Sequence, residues 1–133
     1  MLKIRVVGTL IKPSFPQPGL KHPSRSITEP KQVAEATASA LVRSLPIGVA
    51  GVVFLSGGLP DETASLYLST INTLLDSADA MSAYKRLPPL TFSFGRGLQG
   101  DAMRKWVAGD EDGAKEAFRT RASVCSAAVK GKV

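Results

Sequence analysis

The chain has 133 residues, of which 44% are hydrophobic and 21% charged, so it can bury a core and does not belong to the intrinsically disordered class. Its 17 lysines and arginines exceed its 11 aspartates and glutamates and give a net charge of +6, which favours an anionic partner: a phosphorylated metabolite, nucleic acid or a membrane surface. The single cysteine excludes an internal disulfide, and no apolar run reaches the length of a membrane span, so we expect a cytoplasmic chain.

The first third of the chain predicts a strand, a long loop and a helix. Residues 3–11 include the apolar run IRVVGTLI and are predicted to form a strand, followed by a loop rich in proline, glycine and serine. Apolar side chains at helical spacing predict a helix over about residues 30–44, with Thr28 as its N-cap and Pro46 after its end. Loops this long in compact domains are often functional.

Strands and helices continue to alternate through the rest of the chain. The valine-rich run VAGVVFLS is typical of a strand buried on both faces of a parallel sheet, and Asp61 is predicted to cap the helix after it. The last helix carries Ala114, Phe118, Arg121 and Cys125 on one face. The predicted elements are strands at residues 49–56 and 90–94 and helices at about residues 61–76, 96–107 and 111–129.

This succession of strand–helix units predicts an α/β fold with parallel strands, either doubly wound or part of a barrel. In such folds the reactive groups lie beyond the carboxyl ends of the strands. The three predicted strand ends would therefore bring polar residues to one rim of the sheet. These candidate site residues are Lys12, Ser56, Gly57, Gly58, Ser93, Gly95 and Arg96.

The second and third strand ends together suggest a phosphate site. Glycines let backbone N–H groups approach a phosphate closely, Ser56 adds a hydroxyl, and Arg96 would offer a fork of donors at a helix N-terminus. Taken separately, each has an ordinary alternative, since Ser-Gly-Gly is a common turn and Arg96 can be a surface arginine. Their combination matches the closing end of a (β/α)₈ barrel, where the last loops and a short helix hold a phosphate.

Lys12 ends the first strand in the motif GTLIKP. Read alone, it is a surface lysine at the end of a strand. Beside a phosphate-binding rim, its amine could attack a carbonyl and form a Schiff base. Such an amine must be neutral, and desolvation or a neighbouring cation such as Arg96 would have to lower its pKa from the usual value of about 10.4.

Other motifs give mostly negative results. His22, the one histidine, lies in the proline-rich loop and is expected to be solvated there. No cluster of side chains has the spacing of metal ligands, and no phosphate-binding glycine fingerprint follows a strand. The basic residues are scattered and not interleaved with aromatic residues, so we expect neither a nucleic-acid nor a membrane partner.

Three motifs in order resemble the C-terminal part of class I fructose-1,6-bisphosphate aldolases: GTLIKP, GVVFLSGGLPDETASLYLSTIN and LTFSFGRGLQGDAMRKW. The intervening helix, VAEATASALVRSLPIGVAGV, resembles the same family, so the similarity runs from about Val6 to Lys132. The resemblance implies a (β/α)₈ barrel and a role in glycolysis and gluconeogenesis. It also implies that neither a metal nor another cofactor is needed, because the iminium acts as the electron sink.

The resemblance assigns roles to the candidate site residues. Lys12 matches the lysine that forms the Schiff base with dihydroxyacetone phosphate. The other matches are substrate phosphate-binding positions: Ser56, Gly57, Gly58, Ser93, Gly95 and Arg96.

The chain also departs from the family pattern. Val7 replaces a usual acidic residue, Ser14 and Phe15 replace the usual Asn-Met, and the family's C-terminal tail with its tyrosine is missing. The family's acid/base carboxylates come from strands that would precede Met1. The resemblance thus implies residues 1–133 as a single incomplete domain, the C-terminal portion of a TIM barrel with about three βα units and a terminal helix.

The expected function is cleavage of fructose 1,6-bisphosphate to dihydroxyacetone phosphate and glyceraldehyde 3-phosphate, with little or no turnover by the chain alone. The expected partner is a phosphorylated sugar, with a homo-oligomer or association with intact aldolase subunits as a further possibility. The alternative is a non-catalytic protein that binds phosphate or docks onto aldolase subunits.

Overall fold

Strands and helices alternate along the described part of the chain, which is residues 5–133 of a computed structural model. Two 3₁₀ turns, Pro23–Ile27 and Ala83–Arg86, lie in the connections. The strands are β1 (Leu10–Ile11), β2 (Gly51–Phe54) and β3 (Leu90–Phe92), and the helices are α1 (Pro30–Ser44), α2 (Asp61–Ser77), α3 (Arg96–Val107) and α4 (Glu111–Val129).

The three strands form one parallel sheet in the order β1-β2-β3. Leu10 pairs with Gly51, and Val52 pairs with Leu90, so each strand neighbours the next one in the sequence. Within residues 5–133, β1 and β3 are each paired along one edge only. The predicted α/β class and parallel pairing are confirmed, and the sheet is open, as expected of about three βα units and a terminal helix.

The predicted first strand is too long. Residues 3 and 4 lie outside the described residues, and the chain from Val6 to Thr9 makes a turn in which the N–H of Thr9 donates to the carbonyl of Val6 at 3.0 Å. Gly8 has φ +111°, which takes the chain out of extended geometry. Only Leu10 and Ile11 pair with β2, since an apolar run does not by itself supply a neighbouring strand.

The helices begin and end close to the predicted residues, because their apolar periodicity and their breakers agree. α1, α3 and α4 match the predicted ranges, and α2 extends one residue further, to Ser77. The caps differ: Glu29 caps α1 in a capping box with Gln32, while Thr28 donates its hydroxyl proton to the Ser24 carbonyl. Pro60 precedes α2, so Asp61 is its first residue and not its cap.

β2 and β3 are shorter than the apolar runs that predicted them. The regular ladder leaves out the outer residues of the two predicted strands, which are residues 49–50, 55–56 and 93–94. Single backbone hydrogen bonds continue beyond the ladder. Ladder pairing needs backbone partners on the next strand, whereas hydropathy reports only burial.

The hydrophobic core lies between the sheet and helices α1, α2 and α4. Its largest fully buried apolar side chains are Phe54, Leu68, Ile71, Val33 and Val52. Phe15, from the long loop, also enters this core and is only 2% exposed. Among residues 5–133, no helix combines the length and the apolar character needed to cross a membrane.

Candidate functional site

The carboxyl ends of the three strands lie side by side and form a rim. The N–H of Leu55, just after β2, donates to the Pro13 carbonyl at 3.0 Å, and the N–H of Ser93, just after β3, donates to the Phe54 carbonyl at 2.8 Å. These two hydrogen bonds hold the chain together past the ends of the regular ladder. Lys12, Ser56 and Ser93 therefore leave the sheet on the same rim, as the sequence predicted.

Ser56, Gly57 and Gly58 form a tight turn after β2. The Leu59 N–H donates to the Ser56 carbonyl at 2.9 Å, and the two central residues have φ +56° and +81°. Two consecutive positive φ angles are typical of a type I′ turn, which side chains other than those of glycine and asparagine rarely adopt. Both glycines are exposed, so their backbone is open to a ligand.

Ser56 connects this turn to the start of α3. Its side chain is 4% exposed, and its hydroxyl oxygen accepts a hydrogen bond from the Gly97 N–H at 3.4 Å. A Cβ on Gly97 would lie 3.1 Å from the Ser56 Cβ, so only glycine allows this approach without a shift. The first turn of α3 is thereby held directly against the turn formed by Ser56, Gly57 and Gly58.

Arg96 lies over the glycine turn. A Cβ built on Gly58 would lie 3.1 Å from the Arg96 Nη2 atom, which places the guanidinium against the exposed backbone of Gly58. Arg96 itself is exposed. The arrangement combines a planar cation, open backbone and a helix N-terminus, and this combination of groups suits a phosphate.

Ser93 and Gly95 contribute less directly. The Ser93 N–H is already used by the Phe54 carbonyl, so its hydroxyl is the group that remains for a ligand. Gly95 is exposed and caps α3, and its carbonyl accepts hydrogen bonds from the N–H groups of Leu98 and Gln99 at 3.1 and 3.0 Å. It therefore orients the helix whose first residue is Arg96.

Lys12 lies beyond the end of β1 with its side chain exposed. We expected the strand end to bury the Lys12 amine, and the described residues do not bury it. No ion pair found within residues 5–133 includes Lys12. Its amine is accessible to a ligand on the same rim as the glycine turn.

Phe15 anchors the segment that carries Lys12, a role that the sequence analysis missed. Its ring stacks on Phe54 with centroids 4.5 Å apart and meets Tyr67 edge-on at 5.6 Å. The only sequence signal was a lone aromatic residue in a proline-rich loop, which does not tell burial from exposure. The Pro13 hydrogen bond and this ring fix the chain on either side of Ser14.

Arg121 is the second residue that sequence reasoning did not connect to the site. It was placed on the apolar face of α4, where Ala114 and Cys125 are also buried. Phe118, assigned to the same face, is 41% exposed. A charged residue within an apolar helix stripe was the available signal, because such a residue needs buried hydrogen-bond partners.

The described residues contain no group of three or more histidine, cysteine, aspartate or glutamate side chains that could hold a metal ion. Cys125 is fully buried, with its sulfur 3.8 Å from the Ser65 hydroxyl oxygen. The groups that the described residues bring to the rim are an amine, hydroxyls, backbone amides and a guanidinium.

The chain is similar to one family of known proteins. A family model described as fructose-bisphosphate aldolase class-I matches residues 2–133. Fructose-bisphosphate aldolase C-A of Danio rerio is 42% identical over 129 residues, and the cytosolic fructose-bisphosphate aldolase 5 of Arabidopsis thaliana is 40% identical over 127 residues. Each alignment covers 94% of this chain and 32% of the relative.

A solved structure gives the same result at the level of the fold. Fructose-bisphosphate aldolase from Plasmodium falciparum, in a co-crystal with TRAP and a small-molecule inhibitor, matches with a TM-score of 0.80 at 34% sequence identity. The match covers 94% of this chain and 33% of that chain. The present chain thus spans about a third of the length of the relatives that it matches.

Proposed function

Because the chain belongs to the class I fructose-bisphosphate aldolase family, we propose that its rim binds the phosphate of dihydroxyacetone phosphate and that Lys12 forms a Schiff base with the ligand's carbonyl. The observation that carries this proposal is the meeting of three strand ends on one rim, with Lys12 and Ser56 on neighbouring strands and Arg96 against Gly58.

The groups on the rim suit the two ends of this ligand. Arg96 offers a charge-assisted fork to phosphate oxygens, and the exposed backbone of Gly57 and Gly58 together with the hydroxyl of Ser93 supplies neutral donors. We assign Gly95 to the same site through its position at the start of α3. The Ser56 hydroxyl oxygen accepts from the Gly97 N–H, and its own O–H proton remains able to donate to a phosphate oxygen, so we assign Ser56 both to holding α3 in place and to the phosphate site.

The proposed covalent step starts with the neutral Lys12 amine. Its nitrogen attacks the ligand carbonyl, a carbinolamine forms, and uptake of a proton from solvent with loss of water gives an iminium. In the cleavage direction, with a fructose bisphosphate bound in place of dihydroxyacetone phosphate, the iminium accepts the electron pair released when the sugar's carbon–carbon bond breaks, so a bound metal is not required for this role. The full reaction would cleave fructose 1,6-bisphosphate, the substrate class printed in the relatives' names.

Proton transfer in the full reaction needs a carboxylate acid/base, which the resemblance assigns to sequence outside the three matched motifs. We therefore propose that the chain forms the Schiff base but turns over slowly by itself. We further propose that residues 1–133 form one domain equivalent to part of a (β/α)₈ barrel, located in the cytoplasm. The match to a third of the Plasmodium chain and the printed word "cytosolic" for the Arabidopsis relative support these two assignments.

Borohydride trapping tests the Schiff base. The purified chain is incubated with dihydroxyacetone phosphate and sodium borohydride, and peptides are mapped by mass spectrometry. We expect labelling at Lys12, loss of that label in Lys12→Met, and full labelling in the matched control Lys21→Met, which removes another exposed lysine. Labelling spread equally over exposed lysines, or no labelling, would refute the proposed role of Lys12.

A turnover assay tests the proposal that the chain by itself turns over slowly. We expect little or no cleavage of fructose 1,6-bisphosphate by the pure chain, and turnover at the rate of an intact aldolase would contradict the proposal. Phosphate binding without any borohydride labelling would instead support the non-catalytic alternative.

The open sheet favours a second candidate function, association with another copy or with an intact aldolase subunit. Within residues 5–133, β1 and β3 each leave one edge unpaired, and unpaired edges can pair with another chain. Analytical ultracentrifugation of the pure chain, alone and mixed with full-length aldolase, tests this candidate. A monomer in both samples would exclude it.

A further inference from the structure

Arg121 on α4 is a buried cation that connects three helices. It is 8% exposed, and its guanidinium donates to the Gly97 carbonyl on α3 at 3.2 Å, to the Asp61 carbonyl on α2 at 2.7 Å and to the Ser65 hydroxyl at 3.0 Å. All three acceptors are neutral oxygens. The side chain thus ties the first turns of α2 and α3 to each other through α4.

The positive charge of this guanidinium has no carboxylate partner in the described part of the chain. The ion pairs found within residues 5–133 do not include Arg121, and Asp61 contributes its backbone carbonyl to the contact. Burial of a charge that has no countercharge is costly even when neutral oxygens accept its hydrogen bonds. Core stability alone is therefore a weak explanation for an arginine at this position.

Gly97 links Arg121 to the rim. Its carbonyl accepts from Arg121, while its N–H donates to the Ser56 hydroxyl at the start of the glycine turn. The residue before it is Arg96, whose guanidinium lies against Gly58. A displacement of the first turn of α3 would consequently move both Arg96 and the contact with Ser56.

We propose that Arg121 is a positioning residue for anion binding at the rim, an inference that rests on the proposed phosphate site. It holds the first turn of α3 against Ser56, and its charge adds to the positive potential of the two helix N-termini that it joins. Arg121 does not touch the ligand in this proposal. It acts through Gly97 and Arg96.

Inorganic phosphate is the probe for the first test, and its dissociation constant is measured by NMR titration at a temperature well below the unfolding midpoint of every variant. Arg121→Met removes the charge and the hydrogen bonds while keeping an apolar side chain in the site. Arg119→Met is the matched control, since Arg119 lies on the same helix with its side chain 75% exposed and 3.9 Å from Glu116.

We expect Arg121→Met to raise the dissociation constant on the order of tenfold, Arg119→Met to change it by less than about twofold, and Arg121→Lys to fall between them because it keeps the charge but not the fork. Equal affinities of Arg121→Met and Arg119→Met would overturn the proposal. Should the methionine variant not fold, Arg121→Lys is compared with Arg119→Lys by the same criterion.

Amide hydrogen exchange gives a second readout that needs no ligand. The N–H groups of Leu98 and Gln99 close the first turn of α3, and we expect their exchange to be faster in Arg121→Lys than in Arg119→Lys. Unchanged exchange would overturn the positioning role. If the wild-type chain itself does not bind phosphate, the proposed phosphate site is wrong, and the exchange rates still decide whether Arg121 positions α3.

Discussion

Substitution of Gly58 by alanine should weaken phosphate binding through Arg96. Gly58 has φ +81°, and an added Cβ would lie 3.1 Å from the Arg96 Nη2 atom. The left-handed backbone makes any L-residue here cost about 1–2 kcal/mol of folding free energy. The crowded atom is the end of a flexible side chain, so we expect the guanidinium to move off the turn while the backbone stays in place.

Gly109 provides a matched control for this substitution. It is also exposed, its φ is +82°, and a Cβ there would meet no atom within 4 Å. Gly109→Ala should therefore lower the unfolding free energy by a similar amount, about 1–2 kcal/mol, because its backbone is also left-handed. It should not disturb Arg96. Urea denaturation of the two variants should give similar losses of unfolding free energy.

The two variants should differ in phosphate affinity. A hydrogen bond to a charged group contributes about 1.5–3 kcal/mol, and about 1.4 kcal/mol corresponds to a factor of ten in affinity. Loss of one Arg96 contact should thus raise the dissociation constant of Gly58→Ala roughly tenfold or more, with Gly109→Ala unchanged. Isothermal titration calorimetry with inorganic phosphate measures both, and equal affinities would refute the role given to Arg96.

Three further predictions follow from named contacts. Phe15→Ala should lower the unfolding free energy by about 3–5 kcal/mol in urea denaturation, because it removes a buried ring that stacks on Phe54. A loss below about 1 kcal/mol would show that the ring does not anchor the loop. Asp110→Ala should cost about 0.5–2 kcal/mol, because the Asp110 carboxylate accepts from the Gly113 N–H at 2.9 Å. The exposed Asp112→Ala is its control and should change stability much less. Ser56→Ala should speed exchange of the Gly97 amide in hydrogen-exchange NMR, and an unchanged rate would show that the 3.4 Å contact does not protect it.

The helices were predictable because local signals agree at their ends. Pro30 starts α1 and Pro46 follows it, and the buried residues Val33, Thr37 and Leu41 share one face. α3 similarly begins directly after Gly95. Periodicity and breakers are local properties of the sequence, so no knowledge of distant residues was needed for the helix bounds, although the predicted caps Thr28 and Asp61 were wrong.

Strand lengths and the details of the site depend on distant residues and were predicted less well. The run IRVVGTLI has the hydropathy of a strand, but only Leu10 and Ile11 find partners on β2. The rim was predictable, since parallel strands end on the same side. The contacts of Phe15 with Tyr67 and of Arg121 with Asp61 join residues that are 52 and 60 positions apart, and no local pattern encodes them.

The strand order β1-β2-β3 bears on how the molecule forms. Each strand pairs with its neighbour in the sequence across a single βα connection, so β1 and β2 can pair before β3 and α4 have been synthesised. Arg121 instead reaches Ser65 across 56 residues. During synthesis from the N-terminus, we expect the sheet to assemble first and the anion site to become complete only when α4 has left the ribosome and docked.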